Sequence, residues 1–162
     1  MSIRCCVKAI IIKEECLLVT VCEDPVLGLY YELPGGGQEP YETLDDALRR
    51  ECLEETGCEV EPVRFVALFE EIFTDPDLRA RYSDYAHRLY HFFLCDLVRE
   101  GAAEIAGADN LQTGVKWMPL GDIATAPLHP QALRDSFTDL LAGVSEGFLG
   151  TGIVELKEAT LA

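Results

Sequence analysis

Positive charge is scarce in this chain. Its 162 residues hold 13 Lys and Arg against 29 Asp and Glu, a formal net charge of −16 at pH 7. An excess of that sign repels phosphate backbones and anionic headgroups, so non-specific binding to nucleic acid or to a membrane surface is excluded as its main task. Long apolar runs are missing too: no stretch is long enough to span a bilayer, and the N-terminus lacks the pattern of a signal peptide. The expectation is a soluble, cytoplasmic protein. Repeats, low-complexity segments and linkers are absent, and the length suits one domain, 1–162, with a substantial core. The seven cysteines are odd in number, form no C-x-x-C pair and sit mostly inside apolar runs, at Cys5, Cys6, Cys16, Cys22, Cys52, Cys58 and Cys95. That argues against a disulfide framework or a zinc site and for buried thiols in a reducing compartment.

What the chain does have is one dense stretch, GGGQEPYETLDDALRRECLEETGC, from Gly35 to Cys58. It reads as a glycine turn feeding an acidic helix. Thr43 can cap the helix with Asp46 three residues on, Gly57 can end it in a left-handed turn, and Leu44, Ala47, Leu48 and Cys52 recur at helical spacing, which predicts a helix from about Thr43 to Thr56. At roughly 100° per residue, Glu51, Glu54 and Glu55 project into the same sector as that apolar stripe. Three like charges at the edge of a buried face repel one another and lose hydration, so they either bind protons or share a cation. Magnesium suits them, because it takes oxygen ligands and commonly bridges carboxylates to substrate phosphates. A plain solvated acidic helix is the competing reading of these glutamates. The preceding Leu33-Pro34-Gly35-Gly36-Gly37 favours a site, since it lets backbone pass close to a ligand and bend sharply into the helix.

These residues resemble the Nudix box. The family pattern is Gly, five residues, Glu, seven residues, Arg-Glu, an apolar residue, any residue, Glu-Glu, any residue, Gly and a final apolar residue. It falls on Gly36, Glu42, Arg50, Glu51, Cys52, Glu54, Glu55, Gly57 and Cys58, with cysteine at both apolar positions, where it acts as a small hydrophobe. Tyr31-Glu32-Leu33-Pro34 is similar to the aromatic-x-Leu-Pro run that commonly precedes the box. The resemblance implies an α/β/α sandwich and a pyrophosphohydrolase that uses Mg2+, or Mn2+, on a nucleoside diphosphate linked to another group. It further implies Glu54 and Glu55 as core metal ligands, Glu51 as a further ligand or the base that activates water, and Arg50 as an orienting partner. Glu42 serves the metal shell or the loop, and the Gly35 or Gly36 carbonyl supplies one more oxygen. In some members a later acidic residue completes the site, for which Glu104 and Asp109 are the candidates. An isomerase and an inactive nucleotide-binding regulator on the same fold stay open, as does a homodimer.

In chain order, Arg4–Lys13 and Cys16–Glu23 read as a hairpin, Asp24–Tyr31 as a loop, Glu59–Phe73 as a long strand, Thr74–Tyr85 as a charged loop and His87–Val98 as another strand. Arg99–Thr113 suggests a loop and Val115–Met118 a short strand with the only tryptophan, Trp117. Pro130–Ala142 has the spacing of a second amphipathic helix, and the tail from Phe148 is ambiguous. The pattern suggests an α+β mixed sheet covered on both faces. Arg79, Arg81 and Arg88 are the densest basic cluster and a candidate phosphate-facing lid, unless they only offset Asp75, Asp77 and Asp84. His87 and His91 share a strand face, where packing or substrate stacking suits them better than catalysis. Tyr30, Tyr31, Tyr82 and Tyr85 are candidates for base stacking, although aromatics more often serve the core.

Overall fold

The computed structural model describes residues 2–25, 27–106, 111–144 and 147–155. Its elements are β1 (Arg4–Lys13), β2 (Cys16–Asp24), β3 (Gly28–Glu32), α1 (Leu44–Thr56), β4 (Glu59–Phe73), α2 (Pro76–Arg81), β5 (His87–Arg99), β6 (Gln112–Pro119), β7 (Leu128–His129), α3 (Gln131–Ala142) and β8 (Phe148–Val154). The strands run in the order β7-β3-β2-β1-β5-β4-β8, with β6 paired to β2. The sheet is mixed: β1 is parallel to β5 and β4 to β8, while β4–β5 and β2–β6 are antiparallel.

Alternation along β1 covers both faces. Val7, Ala9 and Ile11 pack under Ala47, Leu48 and Cys52 of α1, and Ile10 faces the other cluster with Leu133, Phe137 and Leu140 of α3. The result is the α/β/α sandwich. Thr43 caps α1 by accepting from the Asp46 N–H at 3.1 Å, and Gly57 closes it with φ 69° and an N–H bond to the Leu53 carbonyl.

The hairpin forms, but β1 and β2 pair only at Ile12–Leu17 and Lys13–Cys16 and then diverge. The gap is filled by the glycine turn. Val7 and Ala9 donate their N–H groups to the Gly36 and Pro34 carbonyls, and Gln38 donates back to Cys5. The turn therefore runs as an extra rung along β1, which fixes where α1 begins.

Several elements differ from the sequence reading. The Asp24–Tyr31 loop ends in β3, and the Thr74–Tyr85 loop holds the one-and-a-half-turn α2, capped by Asp75 through the Asp77 and Leu78 N–H groups. Six residues are too few for helical periodicity to show. The Trp117 strand is longer, from Gln112, and the tail forms β8 against β4. Asp109 lies outside the described residues. All seven cysteines are unpaired, with Cys5 and Cys16 half-buried and the rest buried. No described helix is long and apolar enough to cross a membrane.

Candidate active site

Gly35 takes φ 138°, and a Cβ there would fall onto the Val7 carbonyl, so only glycine lets the turn lie against β1. One residue on, a Cβ on Gly36 would sit 2.5 Å from Glu51 Oε2. The backbone thus touches the first box carboxylate of α1, while the Gly35 N–H donates to Glu55 Oε2 at 2.9 Å. Turn and helix are two walls of one site.

Arg50 is its hub. Its guanidinium forks onto Glu42, Nε to Oε1 at 2.8 Å and Nη2 to Oε2 at 2.9 Å, reaches Glu51 Oε1 at 2.7 Å and the Gly37 carbonyl at 3.0 Å, and stretches to Glu54 Oε2 at 3.4 Å. The hydrogen bonds from Arg50 hold the Glu42 carboxyl at about 2. Glu51 and Glu54 differ in exposure: their side chains are 14% and 42% accessible, so the apolar sector shelters the first far more than the second. Glu55 is half-buried, and loss of hydration pushes its carboxyl up to about 7, against the opposing pull of the Lys8 ammonium and the Gly35 N–H.

Among the described residues, no three His, Cys, Asp or Glu side chains stand close enough together to grip an ion as they are. Arg50 and the Gly35 N–H occupy their oxygens instead. The donor set nevertheless fits a hard divalent cation, being three carboxylates within two helical turns beside backbone carbonyls. Of those carbonyls, Gly36 accepts from the Val7 N–H and Gly35 from Lys8.

The other predicted residues scatter. Arg79 and Arg81 are exposed on α2, with Arg79 bonded back to the Phe73 carbonyl. Arg88 is partly buried in an ion pair with Glu71, its guanidinium facing the rings of Phe73, Tyr85 and Tyr90. Glu104 is exposed in a loop whose neighbours Ala102 and Ala106 bond to the Gly57 and Glu54 carbonyls, at the end of α1. His87 bonds Glu70 and His91 the Cys6 carbonyl. Burial pushes the Cys52 and Cys95 thiols up, which suits inert packing rather than catalysis.

Two groups escaped the sequence reading. Lys8 is 7% exposed beneath the glycine turn; a lysine inside the apolar run Cys5–Ile12 was the available signal. Glu71 is 2% exposed and bonds Arg88, Tyr90 and His129; burial raises its carboxyl, but the His129 hydrogen bond and the Arg88 charge outweigh that and hold it at about 2. Nothing local in the sequence marks that cluster. Beside the site, a groove of about 460 Å³ runs between Arg4, Gln38, Tyr41, Glu42 and Asp84.

A profile of the NUDIX domain matches residues 4–140. The chain belongs to the Nudix family. Its enzyme class is accordingly that of the Nudix pyrophosphohydrolases. Solved structures share the fold. A NUDIX hydrolase from Nitrosomonas europaea is 19% identical over 90% of this chain and 93% of its own, with a TM-score of 0.68. An ADP-ribose pyrophosphatase from Streptococcus suis is 21% identical over 94% and 100%, with a TM-score of 0.59. A UDP-X diphosphatase is 16% identical over 91% and 67%, with a TM-score of 0.65. No curated protein matches the chain.

Proposed function

We propose that this Nudix domain hydrolyses a phosphoanhydride bond in a nucleoside diphosphate linked to a second group, with Mg2+ or Mn2+ held by Glu51, Glu54, Glu55 and the Gly36 or Gly35 carbonyl. The observation that carries this is that Arg50 gathers Glu42, Glu51 and Glu54, while Glu55 is held by the Gly35 N–H of a backbone turn that only glycine can make. Two structural neighbours, an ADP-ribose pyrophosphatase and a UDP-X diphosphatase, support the substrate class. When bound, a divalent cation supplies Lewis-acid charge where negative charge builds on the phosphoryl oxygens. Arg50 holds Glu51 Oε1, which leaves Oε2 on the Gly36 side to accept a proton from the attacking water if Glu51 is the base. The water oxygen bonds to phosphorus as the bridging P–O bond breaks, and the products are a nucleoside monophosphate and a phosphorylated partner. Arg79 and Arg81, exposed on α2, are the groups of the predicted basic cluster left to draw in an anion, whereas Arg88 is paired with Glu71.

The test is a panel of ADP-ribose, nucleotide sugars, dinucleoside polyphosphates and nucleoside triphosphates, incubated with Mg2+ or Mn2+ and with a chelator control. Metal-dependent cleavage of at least one diphosphate derivative is expected. Tight binding without cleavage of any of them supports the regulator instead.

The pH dependence of cation binding follows from Glu55. Its folded-state carboxyl titrates at about 7, above the ordinary 4.5. The metal-free fold therefore holds a proton that the unfolded chain has lost, and its stability from this group falls as pH rises through that window. A cation needs the ionised form, so its stabilising effect grows over the same window. The rise in melting temperature on adding Mg2+ should be small near about pH 6 and full by about pH 8. Glu55→Gln should flatten that dependence, and an equal rise at both pH values in the wild type would contradict it.

A further inference from the structure

Lys8 puts a charge where the fold has no need of one. Its ammonium has three N–H donors, and all three are used: Glu32 Oε2 at 3.1 Å, the Leu33 carbonyl at 3.1 Å and the Gly35 carbonyl at 3.0 Å. The pattern complements the β1 backbone. Along the extended turn, the Pro34 and Gly36 carbonyls accept from the Ala9 and Val7 N–H groups. The alternate carbonyls, Leu33 and Gly35, point away from that ladder, and Lys8 caps both. The peptide between them carries the Gly35 N–H that donates to Glu55. Burying an ammonium and a carboxylate is expensive, and an apolar pair of similar volume holds a core at least as well. What the apolar pair does not do is fix two alternate carbonyls.

We propose that Lys8 is a positioning residue for the cation site: by clamping the Leu33 and Gly35 carbonyls, with Glu32 as its counter-ion, it sets the backbone whose Gly35 N–H orients the Glu55 carboxylate. This rests on the reading of the box glutamates as cation ligands. Partners that orient a ligand from behind are as much a part of a metal site as the ligand itself. Without the clamp, the turn keeps its backbone bonds to β1 but loses the restraint on the peptides either side of the Pro34–Gly35 peptide, and Glu55 is presented in a spread of positions.

Lys8→Met alone leaves the partly buried Glu32 carboxylate without its counter-ion and invites unfolding. The decisive protein is therefore the double variant Lys8→Met/Glu32→Gln, with Lys8→Arg as a second case that keeps the charge pair but replaces a tetrahedral donor by a planar one. Folding is read from melting in chelator. Mn2+ affinity is read from the electron paramagnetic resonance signal of the free ion, with no substrate present. The proposal expects both variants to melt cooperatively, Mn2+ affinity to fall about 10- to 100-fold in the double variant and in the same direction in Lys8→Arg, and kcat to fall more than KM changes. Wild-type Mn2+ affinity in either folded variant overturns it and leaves the hydrolase reading standing. A wild type that binds no Mn2+ at all overturns the cation reading and this proposal together.

Discussion

Glu54→Gln is expected to lower kcat by roughly 10³-fold at saturating substrate and Mg2+, because charge stabilisation by a cation amounts to several kcal/mol in the transition state and each 1.36 kcal/mol is tenfold in rate. Glu54 is the site carboxylate least tied to the protein: its side chain is 42% accessible and, among the described residues, accepts only the 3.4 Å reach from Arg50. The amide is isosteric, and removing one of three clustered negative charges relieves repulsion. The fold should therefore be unharmed, with a stability change within about 0.5 kcal/mol. A loss confined to kcat marks an interaction made chiefly in the transition state; a rise in KM alone would mark simple substrate binding. Steady-state kinetics paired with a melting curve separates these outcomes, and an undiminished kcat would remove Glu54 from the site.

Arg50→Lys should cost about 10- to 100-fold in kcat/KM, the range for losing a group that orients a ligand. It should also lower stability by about 1.5–3 kcal/mol, as expected for hydrogen bonds to charged groups. The guanidinium makes a planar fork to Glu42 and also reaches Glu51 and the Gly37 carbonyl, and an ammonium keeps the charge but cannot span all three. The Glu42 carboxyl, held at about 2 by Arg50, titrates nearer its ordinary value in the variant. A depressed carboxyl gives stability that is present above its unfolded pKa and lost as pH falls through the folded one. The gap in melting temperature between wild type and Arg50→Lys should therefore be full near neutral pH and close as pH falls from about 4.5 towards about 2. A constant gap would mean that the arginine contributes packing alone.

The parts of this site that are local in sequence were legible in it. Thr43, Asp46 and Gly57 mark α1 because caps act within a turn, and the box glutamates follow from helical spacing. The exposure of Glu54 was not legible, since a helical wheel gives a direction and not the depth of the neighbouring wall. Three features are long-range. The zipping of Pro34–Gly36 onto β1 depends on β1 and β2 separating after two residue pairs, which no hairpin pattern encodes. Lys8 finds Glu32 and Gly35 across more than twenty positions, and Glu71 finds Arg88 and His129 from three different strands. The two-residue β7 carries too few residues for alternation to register, yet it delivers His129 to Glu71.

The most direct test of the central claim is to run the substrate panel in heavy-oxygen water and weigh the products. Hydrolysis by an activated water predicts one heavy oxygen in the nucleoside monophosphate or in its phosphorylated partner, never in both from a single turnover, with no products when the metal is chelated. Products without the label, cleavage that persists in chelator, or a panel that is bound but left whole would contradict a metal-dependent pyrophosphohydrolase.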